Sequence, residues 1–162
     1  MTRTACLLAS ILLLGSCDGG APEGRTTAFK PVSAGVFLNY FGGRMTVRMS
    51  ELDPKAIGYD HVPRSAFLVV PLGNESRTRF SLVSASEKEV GGAFATMRVI
   101  EHGTLPRLFV IEAGTLEVTP GEASGGFGTF VIRLDASLVD VTDGGSRLHI
   151  EGTFEAPVEG LT

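Results

Sequence analysis

The stretch from Thr129 to Glu155, TFVIRLDASLVDVTDGGSRLHIEGTFE, decides the fold class of this chain. Apolar and polar side chains alternate on both sides of a Thr-Asp-Gly-Gly-Ser segment at 142–146, which is the period of two expected of strands with one buried face. The Asp and Gly residues of that segment suit the positive φ angles of a chain reversal. The stretch therefore predicts an antiparallel hairpin, with Phe154 on its inward face and His149 on its polar face.

The rest of the chain repeats this alternation in shorter segments. Gly42-Gly43 separates 35–41 from 44–49 and predicts a second hairpin. Further candidate strands are Ser65–Val70, Thr78–Ala85, Ala93–Glu101, Leu108–Glu112 and Thr115–Thr119. The segments 50–57 and 84–90 are too short for a convincing amphipathic helix. The sequence therefore predicts a single all-β domain, either an antiparallel β-sandwich or an up-and-down β-barrel.

Composition excludes several classes of protein. The 162 residues carry a formal net charge of −4 and no run of Lys or Arg that would follow a phosphate backbone, so nucleic acid is not expected as a partner. A hydrophobic fraction of 43% is too high for an intrinsically disordered chain. The length fits one domain with one core.

The N-terminus carries the most specific pattern in the sequence. Arg3 precedes an apolar run, Ala5–Leu14, whose length fits the central region of a signal peptide and is too short to span a bilayer. The run ends in Leu14-Gly15-Ser16-Cys17, where a Leu and two small residues precede a cysteine. These residues resemble the lipobox of bacterial lipoproteins.

That resemblance implies cleavage after Ser16 and attachment of a diacylglycerol to the thiol of Cys17. Several acyl chains together give stable membrane attachment, because each buried methylene contributes about 0.8 kcal/mol. The expected organisation is a signal peptide over 1–16, an acylated cysteine and flexible tether over 17–30, and the all-β domain over 31–162. The mature protein would be lipid-anchored in the bacterial cell envelope, facing the periplasm or the cell exterior, with the membrane as its first partner.

Histidines are the first candidates for chemistry. His61, His102 and His149 do not occur at the spacing of paired metal ligands. Tyr59-Asp60-His61 contains acid and base groups, but the nearby Pro63 favours a loop, and turn chemistry is the preferred interpretation. His149 is expected to be a solvated neighbour of other polar strand residues.

Other polar or sulfur-containing groups also receive structural interpretations. Asp135, Asp140 and Asp143 do not follow the ligand pattern of a calcium loop, so a hairpin turn is preferred. Met45 and Met49 lie on one face of a strand and are expected in the core. Asn74 begins an Asn-Glu-Ser glycosylation pattern that has no expected role in a bacterial lipoprotein. We therefore predict no catalytic residue, no metal site and no cofactor.

Two functions fit these sequence features. The first is a non-catalytic, membrane-anchored binding or assembly module with an envelope protein as partner. The alternative is a carrier that holds a small apolar ligand inside a β-barrel. Its candidate wall residues are Val36, Leu38, Tyr40, Phe130, Ile132 and Phe154. A hydrolase built from dispersed acidic residues and histidines has the least support.

Overall fold

The computed structural model describes residues 25–26, 28–72, 78–84, 90–122 and 128–161. This part of the chain is all β and contains no α-helix, as the alternating sequence pattern predicts. The strands are β1 (Arg25–Thr26), β2 (Ser33–Asn39), β3 (Arg44–Ser50), β4 (Arg64–Pro71), β5 (Arg79–Leu82), β6 (Phe94–Glu101), β7 (Arg107–Pro120), β8 (Thr129–Asp140) and β9 (Arg147–Leu161).

The strand pairing closes on itself. Hydrogen-bonded neighbours run from β2 through β3, β4, β6, β7 and β8 to β9, and β9 pairs again with β2. The short β5 lies between one half of β6 and one half of β7. The sheet is therefore a closed, barrel-like structure, which leaves no open edge along this ring.

The sheet is mixed, although most pairs are antiparallel. Among the described strands, β1 and β2 both run parallel to β9, and β5 runs parallel to β6. Arg25 pairs with Leu148 near the beginning of β9, whereas Val36 pairs with Val158 near its end. The described chain thus begins beside the first residues of β9, and β2 pairs with the last residues of the same strand.

The interior holds one apolar cluster drawn from every strand of the ring. Met45, Val47 and Met49 of β3 are buried, and Ile132 and Leu138 of β8 face the same core. This arrangement places the two methionines in the core, as predicted. Packing of this kind is the main stabilising contribution to a domain of this size.

One strand differs from the sequence prediction. The segments 108–112 and 115–119 are not two strands but parts of the single strand β7, which has a bulge between Ile111 and Ala113. The bulge moves the inward positions from odd numbers, such as Phe109, to even numbers, such as Leu116. A pattern of period two is interrupted at such a residue, so the sequence reads as two short strands.

The described β-structure also begins before the predicted boundary at Pro31. Arg25–Thr26 is a strand, and Phe29 is buried with its ring 5.7 Å from that of Phe154 in an edge-to-face contact. The composition of 18–30 gave no apolar periodicity, because a single buried aromatic residue produces none. Within the segment predicted to be a tether, Arg25–Thr26 therefore pairs with β9, and Phe29 packs on the core.

Phe154 should contribute far more to stability than His149, which lies on the opposite face of the same strand, β9. The Phe154 ring is buried, and a Cβ atom at Gly152 would lie 2.5 Å from its Cζ, so the ring covers that glycine closely. We expect Phe154→Ala to lower the free energy of unfolding by about 3–5 kcal/mol, and His149→Ala by no more than about 0.5 kcal/mol. Urea unfolding of the two variants measures this difference. A larger loss for His149→Ala would contradict the assignment of the two faces.

Candidate functional site

A layer of charged side chains closes one end of the barrel. Five inward positions at that end carry alternating charges: Glu51, Arg64, Glu101, Arg107 and Asp140. Each continues the inward-facing series of its strand beyond the last apolar residue, as Glu51 does after Met49. We call these five residues the charged layer, and the end of the barrel that they close the charged end.

The Glu51–Arg64 pair lies at the centre of one half of the layer. Both side chains are almost fully buried, and Arg64 donates from Nη2 to Oε1 of Glu51 at 2.9 Å and from Nε to Oε2 at 2.9 Å. Two parallel hydrogen bonds of this kind fix the relative orientation of the two groups. Arg64 also donates to the carbonyl of Ala28 at 3.2 Å, and the Lys30 amide donates to Glu51 at 2.9 Å. The pair therefore holds the segment through which the chain enters the barrel.

Arg107 organises the other half of the layer. Its guanidinium contacts Asp140 at 2.5 Å, Asp143 at 3.1 Å and Glu101 at 3.9 Å. These contacts join the beginning of β7 to the end of β6 and to the turn that follows β8. The Arg107 side chain thus holds the turn 141–146 against the ends of β6 and β8, beside the loop 102–106.

Local interactions favour the ionised form of Glu51, Asp140 and Asp143. Burial alone raises the pKa of Glu51, but hydrogen bonds from Arg64, the Lys30 amide and His61 outweigh it and lower that pKa. Burial likewise opposes ionisation of Asp140, and the Thr142 amide together with Arg107 lowers its pKa. Hydrogen bonds from the Ser146 hydroxyl and amide and from the Gly145 amide lower the pKa of Asp143 to about 2. Glu51, Asp140 and Asp143 are therefore negative at neutral pH, and each contacts one of the two arginines, Arg64 or Arg107.

The structure places the histidines in separate surroundings. His61 Nε2 lies 3.0 Å from Glu51 Oε2, so His61 of the Tyr59-Asp60-His61 segment joins the charged layer from its loop. Tyr59 instead donates its hydroxyl to the carbonyl of Asp53 at 2.9 Å. His149 lies 3.6 Å from Asp135 and 3.4 Å from Ser137 across the hairpin, as a polar-face neighbour.

His102 takes part in a contact that the sequence pattern did not predict. Its Nε2 lies 2.9 Å from Oγ of Ser65, which lies 3.1 Å from Oγ of Ser50. A serine next to a histidine is the beginning of a nucleophile–base pair, but Ser65 is buried and its hydroxyl is shared with Ser50. The three side chains therefore serve as a hydrogen-bonded link between β3, β4 and the end of β6. This contact depends on which residues of neighbouring strands lie opposite each other, and a single sequence does not reveal that register.

The remaining candidates for chemistry are the acidic residues of the β8–β9 hairpin, the cysteine and the asparagine. Asp143 Oδ1 accepts from the amides of Gly145 and Ser146 at 2.9 and 2.8 Å, so it shapes the hairpin turn. Within the residues that the structure describes, no group of three His, Cys, Asp or Glu side chains is arranged to hold a metal ion. Cys17 and Asn74 lie outside the described residues.

The proposed ligand walls fall into two groups. Val36, Leu38, Ile132 and Phe154 belong to the packed core, Phe130 is half-buried against it, and Tyr40 is 66% exposed in the β2–β3 turn. A groove of about 590 Å³ lies on the outer face between β5, β7, β8 and β9, with Arg79, Glu117 and Arg133 on its sides. This groove is open and lined by ion-paired residues, unlike the enclosed apolar cavity of a carrier.

Exposed aromatic residues occupy the β2–β3 turn at the opposite end of the barrel. Tyr40 is 66% exposed and Phe41 fully exposed. The turn is held by a hydrogen bond from the Gly42 amide to Asn39 Oδ1 at 2.7 Å and by another from the Gly43 amide to the Tyr40 carbonyl at 3.2 Å. Gly43 has φ of +59°, which a side chain disfavours. Two aromatic rings are therefore presented to solvent on a fixed turn, and aromatic residues are enriched in protein interfaces.

Comparison of the chain with protein families, with curated proteins and with solved structures found no match. Among the described residues, no helix has the length and apolar character needed to cross a bilayer.

Removal of Arg64 should destabilise the barrel strongly. Arg64→Met leaves buried Glu51 without its main cationic partner, and breaking a buried pair in this way costs about 3–5 kcal/mol. The matched control is Arg79→Met, because Arg79 is exposed and its contact to Glu117 at 3.3 Å is a surface ion pair worth about 0–1 kcal/mol. Chemical denaturation followed by circular dichroism compares the two variants. Equal losses would show that the charged layer does not support the fold.

Proposed function

We propose that this chain is a non-catalytic lipoprotein of the bacterial envelope, anchored through Cys17, that acts as a binding or assembly module. The observation that carries the proposal is the Leu14-Gly15-Ser16-Cys17 sequence at the end of a short apolar run. That cysteine lies only eight positions before Arg25, the first residue of the described domain. An acylated Cys17 would thus be joined to the barrel by a short connection.

The packed interior supports a binding module over a carrier. Side chains from the whole ring of strands form one buried cluster, which includes four of the six candidate wall residues. A ligand of drug size needs an enclosed space of about 300 Å³ or more. The described core would have to open before it admitted such a molecule.

The β2–β3 turn is the surface best suited to a protein partner. Phe41 has no side-chain cover from the barrel, and Tyr40 beside it carries both an apolar ring and a hydroxyl. Tyrosine combines large contact area with a hydrogen-bonding group, which is why it recurs at the centres of interfaces. The Asn39 and Gly43 interactions fix the turn, so little conformational entropy is lost on binding.

Cys17 is expected to be the acylation site. Cys17→Ala should remove labelled acyl groups and abolish partition of the protein into the detergent phase, since the signal sequence offers no second thiol at the cleavage position. Metabolic labelling followed by phase separation measures both effects, with Cys6→Ala as the matched control because Cys6 lies inside the signal. Undiminished labelling of the Cys17→Ala protein would refute the proposed anchor.

Phe41 should contact an envelope protein in the native host. A benzophenone amino acid at position 41 is expected to yield a specific crosslinked species, whereas the same group at Arg48, an exposed position in the middle of β3, should not. Tyr40→Ala should reduce the adduct at position 41 several-fold while leaving the melting curve unchanged. If positions 41 and 48 capture the same proteins equally, or Tyr40→Ala has no effect, the turn is not the binding surface.

A further inference from the structure

The charged end of the barrel carries an exposed apolar surface. Seven exposed aliphatic side chains lie on or beside the loops that connect the strands there: Val32, Leu52, Ile57, Val62, Leu105, Leu108 and Val141. We call this set the apolar rim. Ile57 is fully exposed and Leu105 is 83% exposed, whereas four of the five residues of the charged layer, all except Arg107, are buried. Exposed apolar side chains therefore lie outside buried charged ones at this end.

The loops that carry the rim are adjacent and held in place. A Cβ atom at Gly103 would lie 3.7 Å from Cγ1 of Val62, so the loops 51–63 and 102–106 are in contact. The Val141 amide donates to the carbonyl of Leu108 at 3.0 Å, which joins the third loop to β7. His61 and Arg107 tie the same loops to the charged layer. The exposure of the apolar rim is therefore a feature of a fixed surface.

The chain enters the barrel at this same end. Arg25 pairs with Leu148, the second residue of β9, directly after the 141–146 turn. The following segment is fixed there by the contacts of Ala28 with Arg64 and of Lys30 with Glu51. An attachment of the chain before Arg25 would therefore connect to the charged end of the barrel.

The distance to Cys17 decides which end faces the anchor. A chain of eight residues reaches at most about 26–29 Å when fully extended and on average about 14–17 Å when flexible. The twelve-residue strand β8, at the usual tilt of about 35–45°, rises about 30 Å along the barrel axis. An anchor at Cys17 would thus hold the charged end near the bilayer and leave the β2–β3 turn far from it.

Charge at this end suits a neutral lipid surface. Four cations lie at this end, Lys30, Lys55, Arg64 and Arg107, against six carboxylates, Glu51, Asp53, Asp60, Glu101, Asp140 and Asp143, which gives a formal charge of −2. Such a charge gives no attraction to anionic head groups. Apolar side chains that penetrate the head-group boundary supply the favourable free energy instead.

We infer that the apolar rim docks on the membrane surface that holds the lipid anchor, with the barrel standing on its charged end. This inference rests on the proposed acylation of Cys17. It assigns the occupant of the rim as the head-group and upper acyl region of a bilayer. It also fixes the orientation in which the β2–β3 turn is presented outward.

Tryptophan fluorescence tests the orientation directly, because the chain contains no tryptophan. Ile57→Trp, Leu105→Trp and the matched control Phe41→Trp each place one fluorophore at a fully or largely exposed apolar position. The full-length acylated proteins are reconstituted in phosphatidylcholine vesicles, with and without bromine on the acyl chains. We expect bromine to quench both rim tryptophans several-fold more than Trp at position 41.

Each result bears on the proposal. Equal quenching at the two ends, or none at the rim in protein whose mass shows the acyl chains, overturns the docking and leaves the lipoprotein assignment intact. Rim protection that appears only in native membranes and not in pure lipid also overturns it, in favour of a protein occupant. If the mass shows no acyl chains, the lipoprotein assignment fails. The docking then fails with it, because the surface it names is the one that holds the lipid anchor.

Discussion

Closing the end of the barrel imposes the strictest physical requirement on this molecule. A ring of strands leaves two ends at which the apolar core meets water, and at one of them the chain places charge inside the ring. Glu51, Glu101 and Asp140 alternate there with Arg64 and Arg107, and the contacts between them offset part of the cost of removing charge from water. No buried side-chain nitrogen or oxygen of the described residues lacks a hydrogen-bond partner. A layer of this kind is sensitive to loss of any one member.

The charged layer also determines where other parts of the chain lie. The Glu51–Arg64 pair binds the segment 28–30, and this interaction positions Phe29 over the core against Phe154. Arg107 binds the turn after β8 through Asp143. The loops of this end, and the apolar side chains on them, therefore take their positions from buried ion pairs. The opposite turn is held by local hydrogen bonds around Asn39 and Gly43 and by the Leu72 amide, which donates to the Gly43 carbonyl at 2.7 Å.

The sequence predicted the strands well because most of them alternate without interruption. It did not predict the single strand β7, where a bulge at Glu112 shifts the alternation by one residue, nor the early start of the domain, where Phe29 is an isolated apolar residue. The charged layer was equally hidden: Glu51 and Arg64 lie at strand ends, where charged residues ordinarily face solvent. Only the pairing of Ser50 with Ser65 brings the two charges together.

The two ends of the barrel differ in how their loops are held. At the charged end, the Glu51–Arg64 pair holds the incoming chain, and Arg107 holds the turn that follows β8. At the other end, Tyr40 and Phe41 lie on a turn whose hydrogen bonds do not involve these ion pairs. A tether that holds the charged end to the bilayer would therefore leave the aromatic turn unstrained. The twelve residues of β8, at the usual strand tilt, separate the turn from the charged end by about 30 Å.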